Sequence, residues 1–161
     1  MTRSYSCSGF SVLEMCVVLI MVSILAGLSA PGVSQIIHHF EWRMASHRLF
    51  SALRFTRLSA VSHHRSAALC ALDVHGDWSR GWQVRDAITS HVYQDYPGLS
   101  AQLILHWKGG FLSRQCVIFD GQGFASGSQG RFILSSPDQR EVGIVVSRGG
   151  GVRLSRPQRS R

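Results

Sequence analysis

FSVLEMCVVLIMVSILAGLSA, residues Phe10 to Ala30, carries a single charged side chain, Glu14, in 21 positions. At 1.5 Å rise per residue a helix of that length spans about 30 Å, the thickness of a bilayer's hydrocarbon core. A cleaved secretory signal is the competing reading, because Arg3 precedes the apolar run and small residues close it. The length of the run, the acid near its start and the continuation through Pro31 into further helix-like sequence all count against that reading. Glu14 is the anomaly, since a carboxylate inside an apolar helix is costly and persists where it finds a partner. Two explanations remain open at this point. Either a cut between Gly9 and Phe10 creates a new α-amino group to pair with it, or the side chain snorkels or protonates near a membrane surface.

Beyond Pro31, Val33, Ile37, Phe40, Met44, Leu49, Ala52, Leu53, Thr56 and Ala60 recur at steps near three and four. That spacing predicts an amphipathic helix continuing to about His63, with those residues on its buried face. The opposite face holds His38, His39, Arg43, His47, Arg48, Arg54 and Arg57, with Glu41 as its only acid, and reads as a solvated surface. Adjacent pairs such as His38-His39 and His63-His64 diverge on a helix, so no metal site is expected.

After His64 the pattern changes to short segments rich in β-formers: Ser66–Leu72, Trp82–Arg85, Leu103–Trp107, Cys116–Phe119, Arg131–Leu134 and Val142–Val146. Gly-, Asp- and Pro-containing breaks separate them. The expected architecture is α+β, a long N-terminal helix packed on a small antiparallel sheet. Trp78 and Trp82 are candidates for the helix–sheet core, with a base-stacking platform as the sharper alternative.

The net charge is +8, from 17 Lys+Arg against 9 Asp+Glu, and Lys108 is the only lysine. Such a balance suits anionic partners, nucleic acid or acidic lipid headgroups, and equally a merely soluble basic surface. Of the four cysteines, Cys7 and Cys16 lie in or beside the apolar segment. Cys70 and Cys116 are left as a pair that forms a disulfide in an oxidising compartment or stays as two buried thiols. No nucleophile–base pair, phosphate loop or metal-ligand cluster is present, so neither an enzyme nor a cofactor is expected.

Gly9-Phe10-Ser11-Val12-Leu13-Glu14, the apolar stretch and Pro31 together resemble the processing and assembly signature of type IV prepilins and pseudopilins. The resemblance implies cleavage by a prepilin peptidase after Gly9 and N-methylation of Phe10. It further implies pairing of Glu14 with the amine of a neighbouring subunit, and a helix-kinking role for Pro31. The leader, residues 1–9, would face inward. Residues 10–30 would anchor the chain in the bacterial inner membrane as a single-pass helix and form the filament core, and 31–64 would be the amphipathic half. Residues 65–147 would be the globular pilin domain, in the periplasm or on the pilus.

Further motifs narrow the resemblance. LFSALRFTRLSAVSHHRSAALC (Leu49–Cys70), DWSRGWQVRD (Asp77–Asp86), VIFDGQGFASG (Val117–Gly127) and REVGIVVSRGGGVRLSR (Arg140–Arg156) are similar, in order and spacing, to the GspH/FimT family of minor pilins and pseudopilins. The partners implied are other pilins or pseudopilins in a filament. Two machines fit: a type IV pilus, or a type II protein secretion system. The basic C-terminal tail, residues 148–161, with Arg148, Arg153, Arg156, Arg159, Arg161 and no acid, favours the first. Some FimT-like proteins are implicated in DNA capture for natural transformation through a Gly-Arg-x-Arg element. Here the nearest match is Gly150-Gly151-Val152-Arg153, in which Gly151 replaces the first Arg. The tail reads as a flexible segment that tracks double-stranded DNA phosphates, or as a solubilising extension.

Overall fold

The structure, a computed structural model, describes residues 11–110, 115–125, 127–137, 140–155 and 158–159. Of residues 26, 28–39, 158 and 159 it describes the backbone alone. The chain divides into two compact units, residues 1–40 and 41–161.

Helix α1 (Val12–His63) runs through the apolar segment and its amphipathic continuation. Within the second unit, Trp42, Ala45, Leu49, Ala52, Leu53, Thr56 and Ala60 are buried, at the three- and four-residue steps of one helix face. The expected stripe is corrected at its start, for Phe40 and Met44 are both 61% exposed. Trp42 and Ala45 take the buried positions, since a stripe drawn back from Leu49 at helical period passes through 45 and 42. Thr56 is buried on the same face, and its hydroxyl donates to the Ala52 carbonyl at 2.7 Å, which removes an unsatisfied polar group from the core.

The β-formers make two antiparallel sheets, where one was expected. In the first, β1 (Ala67–Ala71), β2 (Gly81–Asp86), β3 (Val92–Pro97) and β5 (Cys116–Phe119) lie in the order β3-β2-β1-β5. In the second, β4 (Ile104–Gly109), β6 (Gly130–Ser135), β7 (Arg140–Val146) and β8 (Val152–Leu154) lie in the order β4-β6-β7-β8, and β9 (Gln158–Arg159) also pairs with β7. Side chains from α1 and from both sheets meet in one hydrophobic cluster. Trp78, in a 3-10 turn (Trp78–Arg80), packs edge-on against Phe132 of β6 at 4.7 Å between ring centroids. Trp78 and Trp82 are at most 1% exposed, which excludes a base-stacking platform and makes them core residues.

The turn between β2 and β3 is tied by Asp86, whose carboxylate accepts from the backbone N–H groups of Ile88 and Thr89, each at 2.8 Å. These bonds, the Thr89 one foremost, hold its carboxyl below the usual carboxylate range. Their contribution is present above the ordinary value, near 3.8, and is lost as pH falls through the lowered one. Cys70 and Cys116 face one another in the β1–β5 register and are joined in a disulfide across 46 residues of sequence. In the chain-entropy description, closing a loop of that size in the unfolded state adds about 4 kcal/mol. The variant Cys70→Ser/Cys116→Ser should therefore unfold at lower denaturant, with about 4 kcal/mol less stability by equilibrium denaturation of the full-length protein. A loss below about 1 kcal/mol would remove the bond from the account of stability.

Candidate functional site

Among the described residues of the first unit, the large apolar side chains are exposed. Val12, Leu13, Leu19, Ile20, Val22 and Leu25 of α1 are all more than half exposed, with Val12 at 81%. Glu14 stands in the first turn of this helix, where a negative charge complements the helix dipole. So much contiguous apolar surface requires an apolar partner, lipid or another helix. Gly9 and Phe10 lie outside the described residues. Pro31 falls within α1, and its side chain also lies outside them. Among the described residues no helix is long and apolar enough to cross a membrane. The expected span of residues 10–30 includes Phe10 and the side chains of residues 26 and 28–30, which are outside that description.

A second surface is built where the β7–β8 hairpin meets α1. Ser147 and Gly151 close the turn, with the Ser147 N–H donating to the Gly151 carbonyl at 2.9 Å. Gly150 adopts φ 74°, and its backbone lies so close to Gly123 that a Cβ would collide with the Gly123 carbonyl oxygen. That carbonyl also accepts from the Arg57 Nε at 3.1 Å. Arg57 is thus half-buried and bonded, a correction to the solvated face expected for it. Arg43, His47 and Arg54 of the same face are exposed. Phe50, Arg54, Phe55, Leu58, Val61 and Val152 line a groove beside this junction, of about 650 Å³.

The C-terminal arginines are divided by this construction. Arg148 is exposed in the hairpin turn, while Arg153 is exposed on β8, whose register sets it beside Val145 of β7. Arg159 contributes backbone pairing through β9, opposite Arg140. Arg156 and Arg161 lie outside the described residues. The flexible segment expected from the sequence is corrected for residues 152–154, which are hydrogen-bonded sheet. Sequence reading missed β8 because glycines 149–151 suggest a mobile tail, whereas here Gly150 supplies a left-handed turn and a close backbone approach. Among the described residues no group of histidine, cysteine or acidic side chains is arranged to hold a metal. His63, at the end of α1, stacks on Tyr93 of β3 instead, with centroids 5.5 Å apart.

A long helix with an exposed apolar N-terminal part, its C-terminal part buried with antiparallel sheets in one core, is the pilin-like architecture. The chain is similar to the type IV minor pilin FimU of Pseudomonas aeruginosa, at 20% identity over 73% of this chain and 90% of that one, with a TM-score of 0.62. A second crystal form of FimU gives 20% identity, coverage of 71% and 92%, and a TM-score of 0.59. It is also similar to the minor pseudopilin EpsH from the Type 2 Secretion System of Vibrio cholerae, at 13% identity over 71% of this chain and 96% of that one, with a TM-score of 0.54. At these identities the likeness establishes the fold. Residues 45–150 match the family described as Type II transport protein GspH, and the chain belongs to that family. Family and fold together make it a pilin-like structural subunit and not an enzyme. No curated protein matches the sequence.

The Gly150 contact gives a direct check on the hairpin. Gly150→Ala should lower stability by about 1–3 kcal/mol through the collision and the left-handed backbone. Gly149→Ala, where an added Cβ meets nothing within 4 Å, should stay within about 0.5 kcal/mol of wild type. Equal midpoints for the two variants in urea would contradict the docked hairpin.

Proposed function

We propose that this chain is a minor pilin of a type IV pilus, of FimT-like kind, built into the filament through the N-terminal half of α1. The observation that carries the reading is the exposed apolar helix surface with Glu14 in its first turn, in a chain of the GspH family. Before assembly the apolar segment holds the subunit in the inner membrane as a single-pass helix, with the globular domain on the periplasmic side. A prepilin peptidase cleaves between Gly9 and Phe10, and the new Phe10 amine is methylated. In the filament, apolar helices of neighbouring subunits replace lipid, and the Glu14 carboxylate pairs with a neighbour's N-terminal amine, which offsets the cost of burying it. A minor pseudopilin of a type II secretion system is the second reading, favoured by the description of the matching family. Deletion of the gene separates the two, through loss of pili or loss of protein secretion.

Mature protein extracted from membranes should begin at Phe10 by mass spectrometry, carrying one added methyl group. Glu14→Ala should leave the denaturation midpoint of the folded domain unchanged, since Glu14 lies outside its core, and should cut recovery in sheared filaments at least tenfold. An intact Met1, or wild-type recovery of the variant, contradicts the processing and pairing steps respectively.

The DNA-capture part of the reading is supported by the net charge of +8 and by the exposed Arg148 and Arg153. Phosphate contact by a few cations predicts weak binding to duplex DNA with little sequence preference. The slope of log affinity against log salt should be about −3 to −5. Absence of salt-sensitive binding by the full-length protein would leave the filament role alone.

A further inference from the structure

The strand register of the second sheet places cations from distant parts of the sequence side by side. On its outer face, alternating with the buried Leu105, Phe132, Ile144 and Val146, stand Lys108 of β4, Arg131 of β6, Val145 of β7 and Arg153 of β8. Lys108 is directly opposite Arg131, Arg131 opposite Val145, and Val145 opposite Arg153. One transverse row therefore crosses β4, β6, β7 and β8. With strands about 4.8 Å apart, the backbones of Lys108 and Arg131 are about 5 Å apart, and Arg153 is about 10 Å beyond Arg131.

All three cations are exposed, and none is held in an ion pair among the described residues. The Arg131 side chain lies along the sheet over Gly143, its Nε 3.2 Å from the point a Cβ there would occupy. Beside it the Ser155 hydroxyl accepts from the Gly143 N–H at 2.8 Å. His106, also exposed, is two residues from Lys108 on the same face of β4. Glu141 is the acid on this face of β7, four residues from Val145 and so about 13 Å along the strand. Like charges directly opposite in an antiparallel pair repel, so Lys108 against Arg131 is a local cost that a bound anion reverses.

We propose that the row Lys108–Arg131–Arg153 is a phosphate-binding floor on which duplex DNA lies. The proposal rests on the DNA-capture reading above and relocates its contacts from the C-terminal arginines alone to the face of a sheet. Ammonium and guanidinium groups are both phosphate ligands, and the planar guanidinium adds a two-pronged contact. Among the described residues the row is strand surface with no helix to enter a groove, so it reads backbone charge and not base edges. An acidic protein surface fits less well, because the row lacks the large aromatic anchor that gives a protein interface its affinity.

The test is fluorescence anisotropy of a labelled mixed-sequence 30-base-pair duplex with the full-length protein in neutral detergent, across a salt series. Lys108→Gln/Arg131→Gln should weaken binding about tenfold and reduce the magnitude of the salt slope by about two, one for each lost phosphate contact. The charge-retaining Lys108→Arg/Arg131→Lys should keep the wild-type slope. If the glutamine pair does not give folded protein by its thermal melt, Lys108→Gln alone should reduce the slope by about one. A folded glutamine variant with the wild-type slope overturns this inference and leaves the DNA-capture reading standing. Failure of wild type to bind the duplex overturns both. Tighter binding of polyglutamate than of the duplex, lost in the same variant, overturns DNA in favour of an acidic protein surface.

Discussion

The fold depends on one helix face being dry. Leu49, Ala52, Leu53, Thr56 and Ala60 are at most 1% exposed, and four of the five are at zero. They share a core with Leu69, Val117, Phe132 and Ile144 from the two sheets. Two alanines and a threonine bonded back to its own helix leave room for strands to approach, so the bulk of the core is supplied by the sheets and by Trp78 and Trp82. A β-branched or aromatic residue in place of Ala52 or Ala60 would have to be fitted into a fully buried position, where overpacking is destabilising.

That dry face explains the division of labour along α1. From Glu41 onward the helix is a partner in a folded core, and its stability is that of tertiary packing. Over residues 11–25 the same helix has exposed apolar side chains. A surface of this kind is stable in lipid or against other helices, so in the proposed minor-pilin role one segment serves membrane retention before assembly and helix packing after it. The disulfide and the Asp86 turn reinforce the sheet part, where strands pair across long stretches of sequence.

Much of this was legible in the residues. The helix to His63, the strand Cys116–Phe119 and five further strands at slightly different ends follow from periodicity and β-propensity. Strand β3, VYQDYP, escaped notice because its residues are half-buried or exposed at an edge and carry no alternating apolar signal. Strand β8 escaped because its glycines signal a loop, and only the approach of Gly150 to Gly123 shows what they are for. The start of the buried helix face was misplaced since Phe40 and Met44 are as apolar as Trp42 and Ala45, and periodicity alone does not choose between adjacent stripes. For the sites, Glu14 is visible in sequence because it interrupts an apolar run. The row of Lys108, Arg131 and Arg153 is not, because only register brings those positions together.

In the proposed minor-pilin role, the exposed N-terminal half of α1 becomes an interior helix of a filament. Val18, half exposed in the middle of that surface, is the position to probe. A photo-crosslinking residue at Val18, activated in cells that carry filaments, should yield covalent adducts to the apolar helices of neighbouring pilin subunits, identified by mass spectrometry. Adducts to lipid alone, with the protein missing from filaments that are otherwise assembled, would contradict the account.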